Sequence, residues 1–254
     1  MRDAVPGGPT LPSSARGCPV PGLHPEAAFG LVVIAASAGG VEALRAVLSR
    51  LPAGFPAPIG LVLHLSPRLP SRLPELLRRW SRLDAAFAAE GERPRAGTVY
   101  AAPPNRHLVV RPDGRFGLLD TAKVNFTRPA ADPLFETAAA RFGRRALAVV
   151  LTGMGRDGAS GARAIRAEGG TVIAQDPGTA FAPSMPGRVV ASGAAQLVLP
   201  PAGVADALTA LVMLPGAAGL LGPRYHPTVP PPLDRRAPPT APRRRRPPPP
   251  ASAA

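Results

Sequence analysis

Apolar side chains follow two periodicities along this chain, and the two alternate. Residues 29–36 (Phe-Gly-Leu-Val-Val-Ile-Ala-Ala), 58–65 and 146–152 are near-continuous apolar runs of strand length, rich in Val, Ile and Leu. Runs of that kind are strands buried on both faces, as parallel strands are. After the first run, Val41, Leu44, Val47, Leu48 and Leu51 recur at helical spacing. The same alternation predicts helices over 41–51, 71–82, 132–143, 158–168, 184–192 and 201–214, with further strands at 171–175 and 195–199. Short apolar segments at 98–102, 107–111 and 115–119, the last after the turn signal Pro112-Asp113-Gly114, read as a β-hairpin. The fold class is therefore α/β: a doubly wound, mostly parallel sheet with helices on both faces and an antiparallel β-hairpin addition.

The pattern stops at both ends. Residues 1–27 and 215–254 are rich in Pro and Gly or Arg and lack a periodic apolar face. They are expected to be disordered, because they bury too little apolar surface to offset the entropy of ordering. One domain, residues 28–214, lies between them. Of the net charge of +14, about six come from the stretch 223–254, which holds seven arginines and one aspartate. A basic tail of this composition reads as a solvated segment, and aromatics at 4% argue against a surface that stacks nucleic-acid bases. The apolar stretch 207–222 is shorter than a membrane span and contains Pro215, so it reads as a last helix and a loop. Cys18 is the only cysteine, which excludes an intrachain disulfide. No secretory signal opens the chain, so a cytoplasmic monomer is expected, with no nucleic acid and no membrane insertion.

Candidate chemistry sits where the strands end. Ser37 follows the first strand and precedes Gly39 and Gly40. A serine on such a turn is a nucleophile, part of a phosphate-binding loop, or a cap for the helix that follows. Neither Gly-x-Gly-x-x-Gly nor a Gly-Lys-Ser/Thr ending is present, so both nucleotide motifs fail. His64 ends the second strand, and Asp157 lies in the glycine turn Gly153-Met154-Gly155-Arg156-Asp157-Gly158 after the strand at 146–152. Parallel strands bring their carboxyl ends to one edge, where Ser37, His64 and Asp157 would meet as nucleophile, base and orienter. Imidazole exchanges its proton near neutral pH, as a base here requires. Asp157 also has a structural reading as the cap of helix 158–168. No cluster has metal-ligand spacing, and no cofactor is expected.

Five blocks carry a resemblance: Ala36-Ser-Ala-Gly-Gly40, the strand-end His64, Ala102-Pro-Pro-Asn-Arg-His-Leu108, Arg128-Pro-Ala-Ala-Asp-Pro-Leu-Phe135 and Leu151-Thr-Gly-Met-Gly-Arg-Asp-Gly-Ala159. In this order, over about residues 30 to 212, they resemble the catalytic domain of the chemotaxis protein-glutamate methylesterases, the CheB family. The resemblance implies a serine hydrolase that demethylates glutamate methyl esters, and in some members deamidates glutamine, on methyl-accepting chemotaxis receptors or related sensors. It implies that the Met154 backbone N–H helps form the oxyanion hole, with Ala38 N–H as a second donor and Arg128 near the substrate. His107 is read as structural. Family members often carry Thr after the nucleophile, and this chain has Ala38, so a hydroxyl bond to the histidine is absent there. Fewer than thirty residues precede the first strand, too few for the family's receiver domain. A stand-alone, constitutively active form is therefore expected, limited by substrate access or by a separate regulatory partner, with a receptor methyltransferase as a partner in the pathway. The competing readings are a catalytically idle sensory binding module and a general small-ester hydrolase.

Overall fold

The structure is a computed structural model, and it describes residues 29–64, 71–214 and 217. The expected disordered segments and Cys18 lie outside the described residues, Ala217 excepted. Among the described residues nine strands form in chain order. They are β1 (Leu31–Ala36), β2 (Ile59–Leu63), β3 (Asp84–Phe87), β4 (Thr98–Ala101), β5 (His107–Val110), β6 (Phe116–Leu119), β7 (Ala146–Val150), β8 (Thr171–Gln175) and β9 (Leu197–Leu199). The helices are α1 (Gly40–Leu48), α2 (Leu73–Trp80), α3 (Ala131–Phe142), α4 (Ala159–Ala167), α5 (Ser184–Ala191) and α6 (Pro201–Met213).

Seven strands make one sheet in the order β3-β4-β2-β1-β7-β8-β9, and every pairing in it is parallel. The pattern along β1 shows why both faces are covered. Val32, Ile34 and Ala36 pack with Leu44, Leu48, Leu77 and Leu208 from α1, α2 and α6. Leu31, Val33 and Ala35 face the other way, among Leu134, Phe135, Ile165 and Val189 from α3, α4 and α5. All six residues of β1 are buried, as a central parallel strand requires.

Two local expectations change. The segment at 98–102 is not part of the hairpin: β4 lies inside the parallel sheet between β2 and β3. The hairpin is β5 and β6 alone, antiparallel, with Val110 opposite Phe116. The second difference is β3, Asp-Ala-Ala-Phe, which the sequence pattern does not signal. Small residues without β-branching leave no periodic signature, and the strand exists because backbone groups beside β4 pair with it.

The topology selects one place for a site. The chain leaves β1 toward β2 and leaves β7 toward β8, on opposite sides of the sheet's middle. Strand order reverses between the carboxyl ends of β1 and β7, the point where sheets of this kind bind their ligands. Among the described residues no helix is long and apolar enough to cross a membrane.

Candidate active site

Ser37 is held by the ends of β1 and β7 together. Its N–H donates to Thr152 O at 2.9 Å, and its carbonyl accepts from Gly40 N–H at 2.7 Å. The turn needs both glycines. Gly39 has φ 74°, and a Cβ on Gly40 would lie 2.8 Å from the Ala36 Cβ and 2.9 Å from Leu63 Cδ1. Helix α1 begins at Gly40 with Gly39 as its cap and no side-chain capping bond. The Ser37 hydroxyl is therefore not a cap.

It faces His64 instead. Ser37 Oγ lies 3.1 Å from His64 Nδ1, and His64 Nε2 lies 2.7 Å from Asp157 Oδ2. Nε2–H donates to the carboxylate, and bare Nδ1 accepts the serine hydroxyl. This is the reverse of the serine-protease arrangement, in which Nδ1–H meets the aspartate. His64 sits directly after β2, its N–H on Ala36 O, and the ring presents its nearer nitrogen to the neighbouring strand end. Thr127 Oγ1 is 3.4 Å from Nε2, so a hydroxyl stands beside the imidazole although Ala38 carries none.

Asp157 does not cap α4. Gly158, at φ 84°, is the cap there, without a side-chain bond. The aspartate caps α3, the helix beside it. Ala131 N–H reaches Oδ2 at 2.6 Å, and Asp132 N–H reaches Oδ1 at 3.2 Å. Free amides at a helix start stabilise an anion. The carboxylate is 2% exposed. Burial alone would raise its pKa. The bond from His64, the Ala131 N–H, the electrostatic pull of the His64 ring and the Asp132 N–H outweigh burial and hold it below the usual carboxylate range.

Around this core lie residues that sequence reasoning did not single out. Asn125 Nδ2 bridges two carboxylates, Asp157 Oδ1 at 3.1 Å and Asp132 Oδ2 at 2.7 Å. Arg156 Nε donates to Asn125 Oδ1 at 3.0 Å, which orients the amide. Asp132 also takes the Gly161 N–H at 2.8 Å. Burial pushes its pKa up, with a smaller push from the Asp157 charge. Thr152 Oγ1 donates to Ala38 O and accepts Ala182 N–H, lacing the nucleophile turn to the segment before α5. Asn125 has φ 50°, a conformation that Asn tolerates better than most residues. That preference was the only local signal for it.

Ala38 N–H and Met154 N–H have no acceptor among the described residues. Met154 follows Gly153, where a Cβ would come within 2.9 Å of the Ser37 Cβ, so this turn lies against the nucleophile. Arg128 does not pair with Asp132. Its guanidinium holds Asn105 Oδ1 at 2.9 Å and the carbonyls of Asp120 and Thr121 at 3.2 and 2.7 Å. It braces the loop that carries Asn125 and Thr127. His107, fully buried, supports the same loop from below, with Nε2–H on Ala122 O and Nδ1 accepting Ala130 N–H. Among the described residues no group of three or more His, Cys, Asp or Glu is placed to hold a metal ion.

A family model described as CheB methylesterase matches residues 32–208, from β1 into α6. The chain belongs to the CheB methylesterase family. A CheB relative from Anaeromyxobacter dehalogenans, named protein-glutamate methylesterase/protein-glutamine glutaminase 2, is 46% identical over 170 residues, 67% of this chain and 50% of the relative. FrzG of Myxococcus xanthus, named a protein-glutamate methylesterase, is 41% identical over 197 residues, 78% of this chain and 58% of FrzG. The chain thus spans little more than half the length of the curated CheB relatives it matches. The crystal structure of the Thermotoga maritima CheB methylesterase catalytic domain superposes with TM-score 0.70 at 38% identity, covering 72% of this chain and 99% of that one.

Proposed function

We propose that this chain is a serine hydrolase that removes methyl groups from glutamate side chains of methyl-accepting chemotaxis receptors or related sensors. The observation that carries the reading is the unbroken chain Ser37 Oγ, His64 Nδ1, His64 Nε2, Asp157 Oδ2 at the switch point of the sheet. His64 Nδ1 takes the proton from Ser37 as Oγ attacks the ester carbonyl. Negative charge develops on the carbonyl oxygen, against the unpaired N–H groups of Ala38 and Met154. His64 then returns the proton to the departing methoxide, and methanol leaves. Water, deprotonated at Nδ1, attacks the glutamyl-serine ester. Glutamate is released and Ser37 regains its proton. Asp157 keeps the proton on Nε2 throughout and stabilises the imidazolium that forms twice per cycle.

The relatives' names add glutaminase. The same steps deamidate glutamine if His64 protonates the leaving amine, so ammonia replaces methanol. We place the enzyme in the cytoplasm as a monomer, with the receptor as its substrate and a separate regulatory partner or a receptor methyltransferase as pathway neighbours. No cofactor takes part in these steps. Methanol release from methylated receptor tests the reading. No methanol release from the wild type would leave an idle binding module, turnover that survives Ser37→Ala would remove Ser37 as the nucleophile, and turnover on small esters but not on methylated receptor would leave a general esterase.

A further inference from the structure

A depression of about 490 Å³ lies beside the triad, between α4, α5 and the loop of Asn125. Its walls carry three guanidinium groups, Arg156, Arg163 and Arg188, together with the Ser160 and Ser192 hydroxyls. Some exposed arginines elsewhere pair with acids, as Arg50 does with Asp206, Arg106 with Asp120 and Arg111 with Glu90, and others, such as Arg45 and Arg79, stand singly among the described residues; here three converge on one depression. Arg163 and Arg188 are exposed and have no acidic partner among the described residues. Arg156 uses only Nε, on a neutral amide. The carboxylate in the depression, Asp132, is buried, and its oxygens already take Gly161 N–H and Asn125 Nδ2. The open charge of the depression is therefore positive.

It is also tied to the reacting atoms. Asn125 lines it and holds Asp157, while Arg156 stands two residues from Met154 in the turn against Ser37. From these placements we infer that the Arg156, Arg163 and Arg188 depression binds carboxylate side chains of the protein substrate that flank its ester. The inference rests on the methylesterase reading and adds a charge preference to it. A helical substrate advances about 5 Å per turn, so acids one or a few turns from the ester run along this edge. Met154, Phe126 and Phe181, exposed at 70%, 93% and 83%, give the same segment an apolar contact around Ser37. Each adjoins the site: Phe126 lies between Asn125 and Thr127, and Phe181 lies over Gly39.

The test uses the full chain and two peptides, each with one glutamate methyl ester, flanked by Glu in one and by Gln in the other. The readout is kcat/KM by methanol release, with p-nitrophenyl acetate turnover alongside. At low salt the wild type should favour the acidic peptide by about tenfold, and the preference should shrink toward one as salt screens it. Arg163→Glu with Arg188→Glu should abolish or invert the preference, and Arg163→Gln with Arg188→Gln should remove most of it. Both should leave p-nitrophenyl acetate turnover within about twofold, since that ester carries no flanking charge. An equal preference in wild type and variants, or none in wild type, overturns the inference. Failure of the underlying reading shows elsewhere, as p-nitrophenyl acetate turnover that is unaffected by Ser37→Ala.

Discussion

At the residue scale, one carboxylate does two jobs. Asp157 hydrogen-bonds His64 and also caps α3, so its charge is held by backbone amides at a helix start. Ser37→Ala is expected to lower turnover about 10⁴-fold or more with the fold intact, read as methanol release beside an unchanged circular dichroism spectrum. His64→Gln and Asp157→Asn should each be severe, and the double variant little worse than the poorer single one, because residues acting as one unit are not additive. Multiplicative losses would show that the two do not form one relay. Asn125→Ala removes the donor shared by two carboxylates. We expect a loss of about 10- to 100-fold in kcat from a misplaced Asp157; an unchanged kcat would assign Asn125 to loop structure alone. The pH dependence of stability follows from the carboxylates. Asp157 has its folded pKa below its unfolded one, so its contribution is complete above about pH 4 and is lost as pH falls through the folded value. Asp132 is shifted upward, so its contribution is present at low pH and lost as pH rises through its folded value. Urea midpoints between about pH 2 and pH 6 should therefore show a shallower acid loss for Asp157→Asn than for wild type. Identical acid limbs would contradict the lowered Asp157 pKa.

At the element scale, the turns after β1 and β7 are shaped by close approach rather than by side-chain chemistry. Gly40 packs its bare Cα against Ala36 and Leu63, and Gly153 packs against Ser37 and Met185. Gly40→Ala should destabilise by about 1–3 kcal/mol, the usual cost of overpacking, and should lower turnover by tilting the nucleophile. Its check is a urea denaturation curve paired with kcat, and an unaltered pair of values would mean that α1 shifts freely. The loop at 120–130 shows a second device. Arg128 holds its two ends from outside and His107 from below. Two residues of this loop, Asn125 and Thr127, then reach Asp157 and His64. The Arg128 and His107 blocks of the sequence thus serve the site through this loop.

At the scale of the whole molecule, the described sheet is closed on both faces by six helices and brings Ser37, His64 and Asp157 together at one edge, and the family match ends at residue 208. Deleting residues 223–254 should leave small-ester turnover within about twofold at matched ionic strength, since exposed charge acts over roughly 10 Å at 0.1 M salt. A large activation on truncation would make that stretch an inhibitory segment. Much of this architecture was legible from residue order. Continuous apolar runs marked β1, β2 and β7, because strands buried on both faces have no polar face to show. Helical spacing marked the helices that cover them, and a serine, a histidine and an aspartate at three strand ends marked the edge where the three side chains meet. What residue order left open depended on atoms brought together from distant segments. The small-residue strand β3 exists through backbone pairing with β4 and leaves no periodicity to read. Which ring nitrogen of His64 meets Ser37 depends on the stagger of β1 and β2. That Asp157 caps α3 instead of α4 depends on how those two helices pack. Periodicity reports which side of an element is buried, and a hydrogen bond between residues 93 positions apart, such as His64 to Asp157, is decided only when the packed elements set its distance and direction.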